Sequence, residues 1–173
     1  NYRSAIIHTF SGYREQNGSF KMVAGSWEDV VKTINKNENF GKQFKNLDFF
    51  TDVATPIIVD KKTDEEKADA IFNYVKTNFT SDKNVSIYSS KSLKEVFKSK
   101  IGNVADINLL TIALMKGVKI NANPIVLATR SKGIAYMPSA DAFNNVIIGV
   151  ELPGKTLLYD ASNKFSTKNI IPI

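Results

Sequence analysis

The stretch IGNVADINLL (residues 101–110) decides the fold of this chain. A glycine ends one segment, and a strongly apolar helix follows, predicted from about Val104 to Lys116. Apolar residues cover nearly the whole circumference of this helix, which is therefore predicted to be buried on most sides and central to the domain. The start of such a helix stabilises negative charge and holds the nucleophile in many enzymes. Here that position is occupied by Val104.

Capping patterns predict three helices ahead of the central one. Ser26 is the expected N-cap of the first. The pairs Thr63 with Glu66 and Ser92 with Glu95 match the capping box, in which the cap residue and the acid three positions later bond to each other's backbone. Each pair is followed by apolar residues at helical spacing, which predicts helices that begin at these caps.

Strand patterns follow the central helix. Residues 124–129 form an apolar run, residues 145–152 alternate partly, and residues 156–160 return after a turn at Pro153-Gly154. The intervening segment 130–142, with glycine, proline and small residues, predicts a surface loop. Helices followed by an antiparallel sheet indicate an α+β fold, in which the central helix packs on the sheet.

The first residues are predicted to differ from the rest. Residues 2–24 have strand-like character with a turn at residues 16–18, and the polar and aromatic segment 40–50 predicts a short helix with a loop. We expect residues 1–25 to be the end of a preceding β-rich domain or an N-terminal β extension, and residues 26–173 to form the main domain. The chain begins without a Met and without a signal-peptide pattern, so we expect a mature product or an excised domain.

Composition narrows the classes of function. The chain has 173 residues, enough for one domain with a substantial core. No apolar run approaches the roughly 20 residues that span a bilayer. Lys and Arg number 23 against 17 Asp and Glu, but the lysines are scattered and not interleaved with aromatics or arginines. This pattern predicts a solvated basic surface and no nucleic-acid partner, and leaves an anionic partner open.

The counts of cysteine and histidine restrict the chemistry further. There is no Cys, which removes disulfides, thiolate nucleophiles and Cys-based metal sites. The only His is His8, predicted to be a strand residue, so any Ser-His-Asp scheme or His-based metal site would have to use it. We expect neither a metal nor another cofactor.

Three segments together carry a family resemblance. A capped helix, then SKIGNVADINLLTIALMKGVKINANPIVLATRSKG (residues 99–133), then FNNVIIGVELPGKTLLYDAS (residues 143–162) resembles the core of the transglutaminase-like superfamily, which has a papain-like fold. Trp27 and the helix EKADAIFNYV (residues 66–75) resemble segments that precede this core in bacterial multi-domain members. The resemblance runs from about Ser26 to Ser162.

The resemblance assigns family positions to individual residues. Gly102 and Asp106 match the Gly and Asp of the family pattern Gly-x-Cys-x-Asp, and Val104 takes the place of the catalytic Cys. Asn145 takes the place of the His, and Asp160 matches the third catalytic position. Valine cannot attack an acyl carbon, and asparagine cannot act as a general base near neutral pH. The resemblance therefore implies a degenerate catalytic triad.

The sequence leaves several alternatives open for the roles of individual residues. A shift of one residue in the alignment would exchange Asn145 for Asn144. Asp160 is expected either to hydrogen-bond Asn145 and the hairpin backbone or to line a binding cleft. Asp106 is expected to compensate the dipole of the central helix or to cap it. Loop serines such as Ser162 are expected to be inert because no base is near. A carboxylate pair of Asp106 and Asp160 doing glycosidase-type work is disfavoured.

These observations predict a catalytically inactive domain with a structural or ligand-binding role in a larger bacterial protein. The predicted ligand is a peptide or an envelope polymer, the other partners are adjacent β-rich domains of the same chain, and the expected location is the periplasm or the cell envelope. The alternative is a peptidase or amidase of the same fold that uses unidentified residues. Beside the triad positions, five residues are expected to line the cleft: Asn103, Asp106, Tyr136, Met137 and Asn144.

Overall fold

The apolar helix predicted from the opening stretch is the centre of the structure. In the computed structural model, which describes residues 12–22 and 25–170, it runs over Val104–Gly117 and is called α5. Every residue from Val104 to Met115 is buried. Helix α5 contacts three other helices and four strands, so the hydrophobic core is built around it.

Four helices precede α5 among the described residues: α1 Trp27–Lys36, α2 Asp48–Ala54, α3 Asp64–Asn78 and α4 Leu93–Ser99. The predicted N-cap of α1 and the two predicted capping boxes of α3 and α4 are confirmed by their hydrogen bonds. Helix α2 continues past the segment 40–50 in which a short helix was predicted. Single 3₁₀ turns lie at Gly41–Phe44, Thr55–Ile57 and Ala140–Ala142.

The sheet that packs on α5 has three antiparallel strands: β5 Ala122–Leu127, β6 Asn145–Leu152 and β7 Lys155–Tyr159. Strand β6 lies between the other two, and the predicted turn joins β6 to β7 through Gly154, with φ of 78°. Strand β5 starts before Pro124, where the apolar run begins. Strand β5 is at the edge of the sheet and pairs with β6 on one side only. It therefore tolerates a proline, which has no backbone N–H to donate.

A short parallel pair was not predicted from the sequence. Strand β3 (Thr80–Ser81) pairs with β4 (Ile101–Gly102) just before α5. The contact continues into the helix, because the Val104 N–H donates to the Asn84 carbonyl over 3.0 Å. Strands of two residues leave no periodicity in a sequence. The pair brings residues 80–84 against the start of α5, beside the site described below.

The N-terminal hairpin consists of β1 Gly12–Arg14 and β2 Phe20–Met22. Its turn contains Gly18 with φ of 84°, as the predicted turn at residues 16–18 requires. His8 lies outside the described residues. The division into residues 1–25 and 26–173 stays a prediction. No helix among the residues described is long and apolar enough to cross a membrane.

Candidate functional site

A cavity of about 500 Å³ opens at the N-terminus of α5. The three residues assigned to the degenerate triad, Val104, Asn145 and Asp160, all line it. They come from the start of α5, the start of β6 and the end of β7. The other lining residues lie in two segments that sequence reasoning did not single out as a site: Thr80, Ser81, Lys83, Ser162, Asn163, Lys164 and Phe165.

Val104 is the first residue of α5 and is 8% exposed. The helix start is fixed by a capping box: the Asn103 side chain accepts from the Asp106 N–H over 2.7 Å, and the Asp106 carboxylate accepts from the Asn103 N–H over 2.8 Å. The predicted capping role of Asp106 is therefore confirmed. The side chain at position 104 lies at the positive end of the helix dipole, but it offers only methyl groups.

Asp106 is fully buried and faces its own loop. Its carboxylate also accepts from the Ser89 hydroxyl over 2.5 Å, from the Ser90 N–H over 2.9 Å and from the Ser90 hydroxyl over 2.6 Å. Both of its oxygens are thus occupied, and Asp106 is not among the residues that line the cavity. Asp106 and Asp160 therefore do not meet at the cavity, as a carboxylate pair for glycosidase-type chemistry would require.

Asp160 is 5% exposed and is held by donors on one of its oxygens. Its Oδ1 accepts from the Asn108 amide over 2.9 Å, from the Ser162 N–H over 3.0 Å and from the Ser162 hydroxyl over 2.5 Å. The hydrogen bond predicted between Asp160 and Asn145 is absent from the described residues. Asn108 and Ser162 donate to Asp160 instead, and Asp160 lines the cavity, which is the other role expected for it.

Asn108 is the residue that sequence reasoning missed. It lies one helical turn after Val104 and is fully buried. Its amide nitrogen donates to Asp160 and, over 2.9 Å, to the Val146 carbonyl, while its oxygen accepts from the Ala161 N–H over 2.8 Å. One side chain therefore ties α5 to β6 and to the end of β7. The available signal was an amide inside an apolar helix, four residues after the triad position.

Asn144 and Asn145 are adjacent but have different surroundings. The Asn144 side chain bonds to Thr129, accepting from its N–H over 2.9 Å and donating to its hydroxyl over 2.8 Å. Asn145 lines the cavity, and its oxygen accepts from the Val146 N–H over 2.8 Å. Of the two alignments left open, the geometry favours the one that uses Asn145.

Two polar atoms at the cavity have no partner among the described residues: Asp160 Oδ2 and Asn145 Nδ2. Every fully buried side-chain nitrogen or oxygen in the described ranges does have a partner. These two atoms therefore retain accessible surface, and both belong to residues that line the cavity. The cavity thus offers one free acceptor on a carboxylate and one free amide donor.

Ser162 has a carboxylate partner that the sequence did not reveal. Its hydroxyl and its backbone N–H both bond to Asp160, which contradicts the expectation that no base is near. A carboxylate is a much weaker base than an imidazole, and an efficient general base has a pKa close to the working pH. The two hydrogen bonds from Ser162 to Asp160 are typical of an Asx turn, in which an aspartate side chain bonds to the backbone two residues later.

The loop residues expected beside the cleft lie elsewhere. Tyr136 and Met137 are 81% and 68% exposed, and neither lines the cavity. Asn103, Asp106 and Asn144 are also absent from its walls. No residue of the loop 130–142 lines the cavity, and its wall is formed instead by residues 80–83 and 162–165.

The mouth of the cavity carries positive charge. Lys83 and Lys164 line it, and neither ammonium group forms an ion pair with any described residue. Phe165 is 92% exposed at the same rim. Asp160 is the only carboxylate among the lining residues. Within the described ranges, no group of three or more His, Cys, Asp or Glu residues is arranged to hold a metal ion.

Comparisons with known proteins identify the same core. The chain matches the transglutaminase-like superfamily over residues 51–151. A crystal structure of a "putative protease" from Parabacteroides distasonis is similar with a TM-score of 0.64 at 12% identity, covering 91% of this chain and 31% of that one. A "putative cysteine protease" from Cytophaga hutchinsonii is similar with a TM-score of 0.53 at 18% identity, covering 78% of this chain and 42% of that one.

Both solved structures are much longer than the matching region, since this chain spans about a third of one and two fifths of the other. At these identities the similarity establishes the fold, which is papain-like and of the α+β class. No curated protein sequence matches the chain.

Proposed function

This chain belongs to the transglutaminase-like superfamily, and we propose that it is a catalytically inactive member that binds peptide in the cavity at the start of α5. One observation carries the proposal: Val104 occupies the first position of α5, in the same cavity as Asn145 and Asp160. With Val104 at this position there is no thiol or hydroxyl to attack an acyl carbon. The whole sequence contains no cysteine that another loop could supply.

The unpaired atoms of the cavity support a peptide as the ligand. Each peptide unit carries one N–H donor and one carbonyl acceptor. Asp160 Oδ2 is a free acceptor and Asn145 Nδ2 a free donor, so the two together complement a peptide unit. The side chains of Val104 and Phe165 add apolar surface to the walls. Binding of this kind needs no chemistry, and it fits a role inside a larger bacterial protein of the cell envelope.

The competing function is a hydrolase of the same fold that uses other residues. The contact between Ser162 and Asp160 is the observation that favours it, because a hydroxyl there faces a carboxylate over 2.5 Å. If the protein is such an enzyme, it cleaves peptide or amide substrates, and Ser162→Ala abolishes the cleavage. We expect the natural protein to cleave no peptide. The Ser162→Ala and Asp160→Asn variants are then expected to show the same absence of cleavage.

Introducing a thiol tests the position of Val104. We expect Val104→Cys to react with iodoacetamide at about pH 6.5 about tenfold faster than Val59→Cys, because a helix N-terminus lowers the pKa of a thiol. Val59 is 83% exposed, so Val59→Cys gives the rate of a freely accessible thiol away from the cavity. The double variant Val104→Cys, Asn145→His adds an imidazole across the cavity and is expected to react faster still. Equal rates for positions 104 and 59 would show that position 104 is not activated by the helix.

Peptide binding itself is tested with Asp160→Asn. This change keeps the Oδ1 acceptor for Asn108 and Ser162 and replaces the free Oδ2 acceptor with a donor. Titration of the natural protein with a peptide mixture, followed by amide shifts in nuclear magnetic resonance spectra, is expected to move the signals of residues 80–83 and 160–165. Asp160→Asn is expected to weaken those shifts. Cleavage of any peptide by the natural protein would overturn the proposal.

A further inference from the structure

The charge around the cavity bears on which peptides it would accept. We infer that the site binds an acidic peptide, with carboxylates of the ligand at Lys83 and Lys164 and a backbone N–H of the ligand at Asp160; this inference rests on the proposed function. Both lysines line the cavity, and each has an ammonium group without a carboxylate partner in the described part of the chain.

Several lysines elsewhere on the surface pair with carboxylates, whereas the two at the cavity pair with none among the described residues. Lys42, Lys61 and Lys67 each pair with a neighbouring carboxylate on their own segment. Lys155 and Lys168 pair with Glu65. Unpaired lysines on both walls of one cavity raise its positive potential and attract anions. The only opposing charge in the walls is that of Asp160, and one of its oxygens is already bonded to three donors.

Asp160 gives the site a second requirement. Asp160 is buried, lines the cavity and has one oxygen without a partner among the described residues. A carboxylate in this position repels a ligand carboxylate placed directly against it and accepts a hydrogen bond from an N–H group. The ligand must therefore present a donor to the inner wall and its anions to the mouth. An acidic peptide does both, since its backbone supplies the donor and its side chains the carboxylates.

The backbone of Lys83 provides a sharp variant for the test. Lys83 has φ of 67°, a left-handed conformation that glycine adopts without strain. Lys83→Gly therefore removes the charge without forcing the backbone to change. Lys119 has φ of 64°, is also a lysine and does not line the cavity. Lys119→Gly is thus a matched control that has the same change in charge, in backbone preference and in composition.

The experiment is calorimetric titration at low ionic strength with two blocked pentapeptides, acetyl-Ala-Glu-Ala-Glu-Ala-amide and its counterpart with Gln for Glu. The natural protein is expected to bind the Glu peptide at least about fivefold more tightly, as one or two exposed charge pairs would give. Lys83→Gly is expected to remove this preference, and Lys164→Gln to reduce it. Lys119→Gly is expected to keep it.

The outcomes separate the inference from the proposed function. If both peptides bind equally and Lys83→Gly changes neither affinity, the inference is overturned while peptide binding stands. If neither peptide binds, both fail. If Lys119→Gly weakens the Glu peptide as much as Lys83→Gly does, the preference is an effect of net charge and the inference is overturned. Tighter binding of trigalacturonate, an anionic sugar chain, than of the Glu peptide would also overturn it.

Discussion

At the scale of single residues, the cavity is governed by Val104, Asn108 and Asp160. A buried carboxylate is costly unless it is hydrogen-bonded. In the family pattern a histidine would lie beside Asp160, and here Asn108 and Ser162 supply its donors. Asn108 satisfies all of its own hydrogen-bonding groups at the same time. Asp160 therefore has hydrogen-bond donors without a histidine, and Asn108 and Ser162 compensate for its burial.

Asn108→Leu tests this role of Asn108. Leucine has a similar volume but leaves the Val146 carbonyl and the Ala161 N–H without their partner. We expect the free energy of unfolding to fall by about 3 kcal/mol, because buried polar groups are left unsatisfied. Urea unfolding measures it. Thr111→Val is the control on the same helix, since its hydroxyl donates only to the Ile107 carbonyl, and it is expected to cost less than about 1 kcal/mol. Equal costs would contradict the role.

At the scale of elements, the start of α5 is fixed by the two segments packed against it. Residues 80–84 bond to it through the short parallel pair, and Ser89 and Ser90 bond to it through Asp106. Gly102 makes this packing possible, because a Cβ there would lie 2.5 Å from the Asp106 Cβ. The glycine is required by the close approach of the capping carboxylate and not by an unusual φ.

Gly102→Ala is therefore expected to destabilise the protein by about 2 kcal/mol through overpacking at the helix start. The control is Gly149→Ala in β6. A Cβ at position 149 would lie 2.6 Å from the Ile125 Cδ1, the mobile end of a side chain that can move away. We expect the control to cost less than about 1 kcal/mol in thermal or urea unfolding. A larger loss for Gly149→Ala than for Gly102→Ala would refute this account of the helix start.

At the scale of the whole molecule, contacts far apart in sequence hold one wall of the cavity in place. The segment after β7 returns to α3, where Lys76 donates to the Ser166 carbonyl over 2.5 Å and Lys168 donates to Glu65 over 2.6 Å. Lys155 of β7 reaches Glu65 as well. Residues 160–165, which form the wall, lie between these attachment points. The shape of the cavity thus depends on α3, although α3 does not line it.

The pH dependence of stability tests this attachment. Hydrogen bonds from Lys155 and Lys168 lower the pKa of Glu65 to about 2. Because the folded-state pKa lies below the unfolded one, the stabilisation is fully present above about pH 4.5 and is lost as the pH falls through about 2. We expect Glu65→Gln to be less stable than the natural protein at pH 7, and the difference to vanish toward pH 2.

Thermal unfolding between about pH 7 and pH 2 measures this difference. The pairs are partly exposed, so about 1 M NaCl is expected to reduce the difference at pH 7 by screening. A difference that keeps the same size at every pH would mean that Glu65 acts through packing and not through its charge.

The local elements could be predicted from the sequence because their causes lie within a few residues. The capping boxes at Thr63 and Ser92, the apolar central helix and the strand over residues 145–152 all have the predicted type and position. The resemblance also supplied Val104, Asn145 and Asp160, which share one cavity. Their roles in the protein stay a prediction.

Only the tertiary structure decided which groups meet at that cavity. The hydrogen bond between Asn108 and Asp160 joins residues 52 positions apart. The cavity walls at residues 80–83 and 162–165 come from segments that are also far apart in the sequence. Caps and periodicity depend on neighbours along the chain, whereas a hydrogen bond between two buried side chains depends on how helices and strands pack. The sequence alone therefore determined the elements and the absence of cysteine, and packing determined the partners of Asp160 and the charge at the cavity mouth.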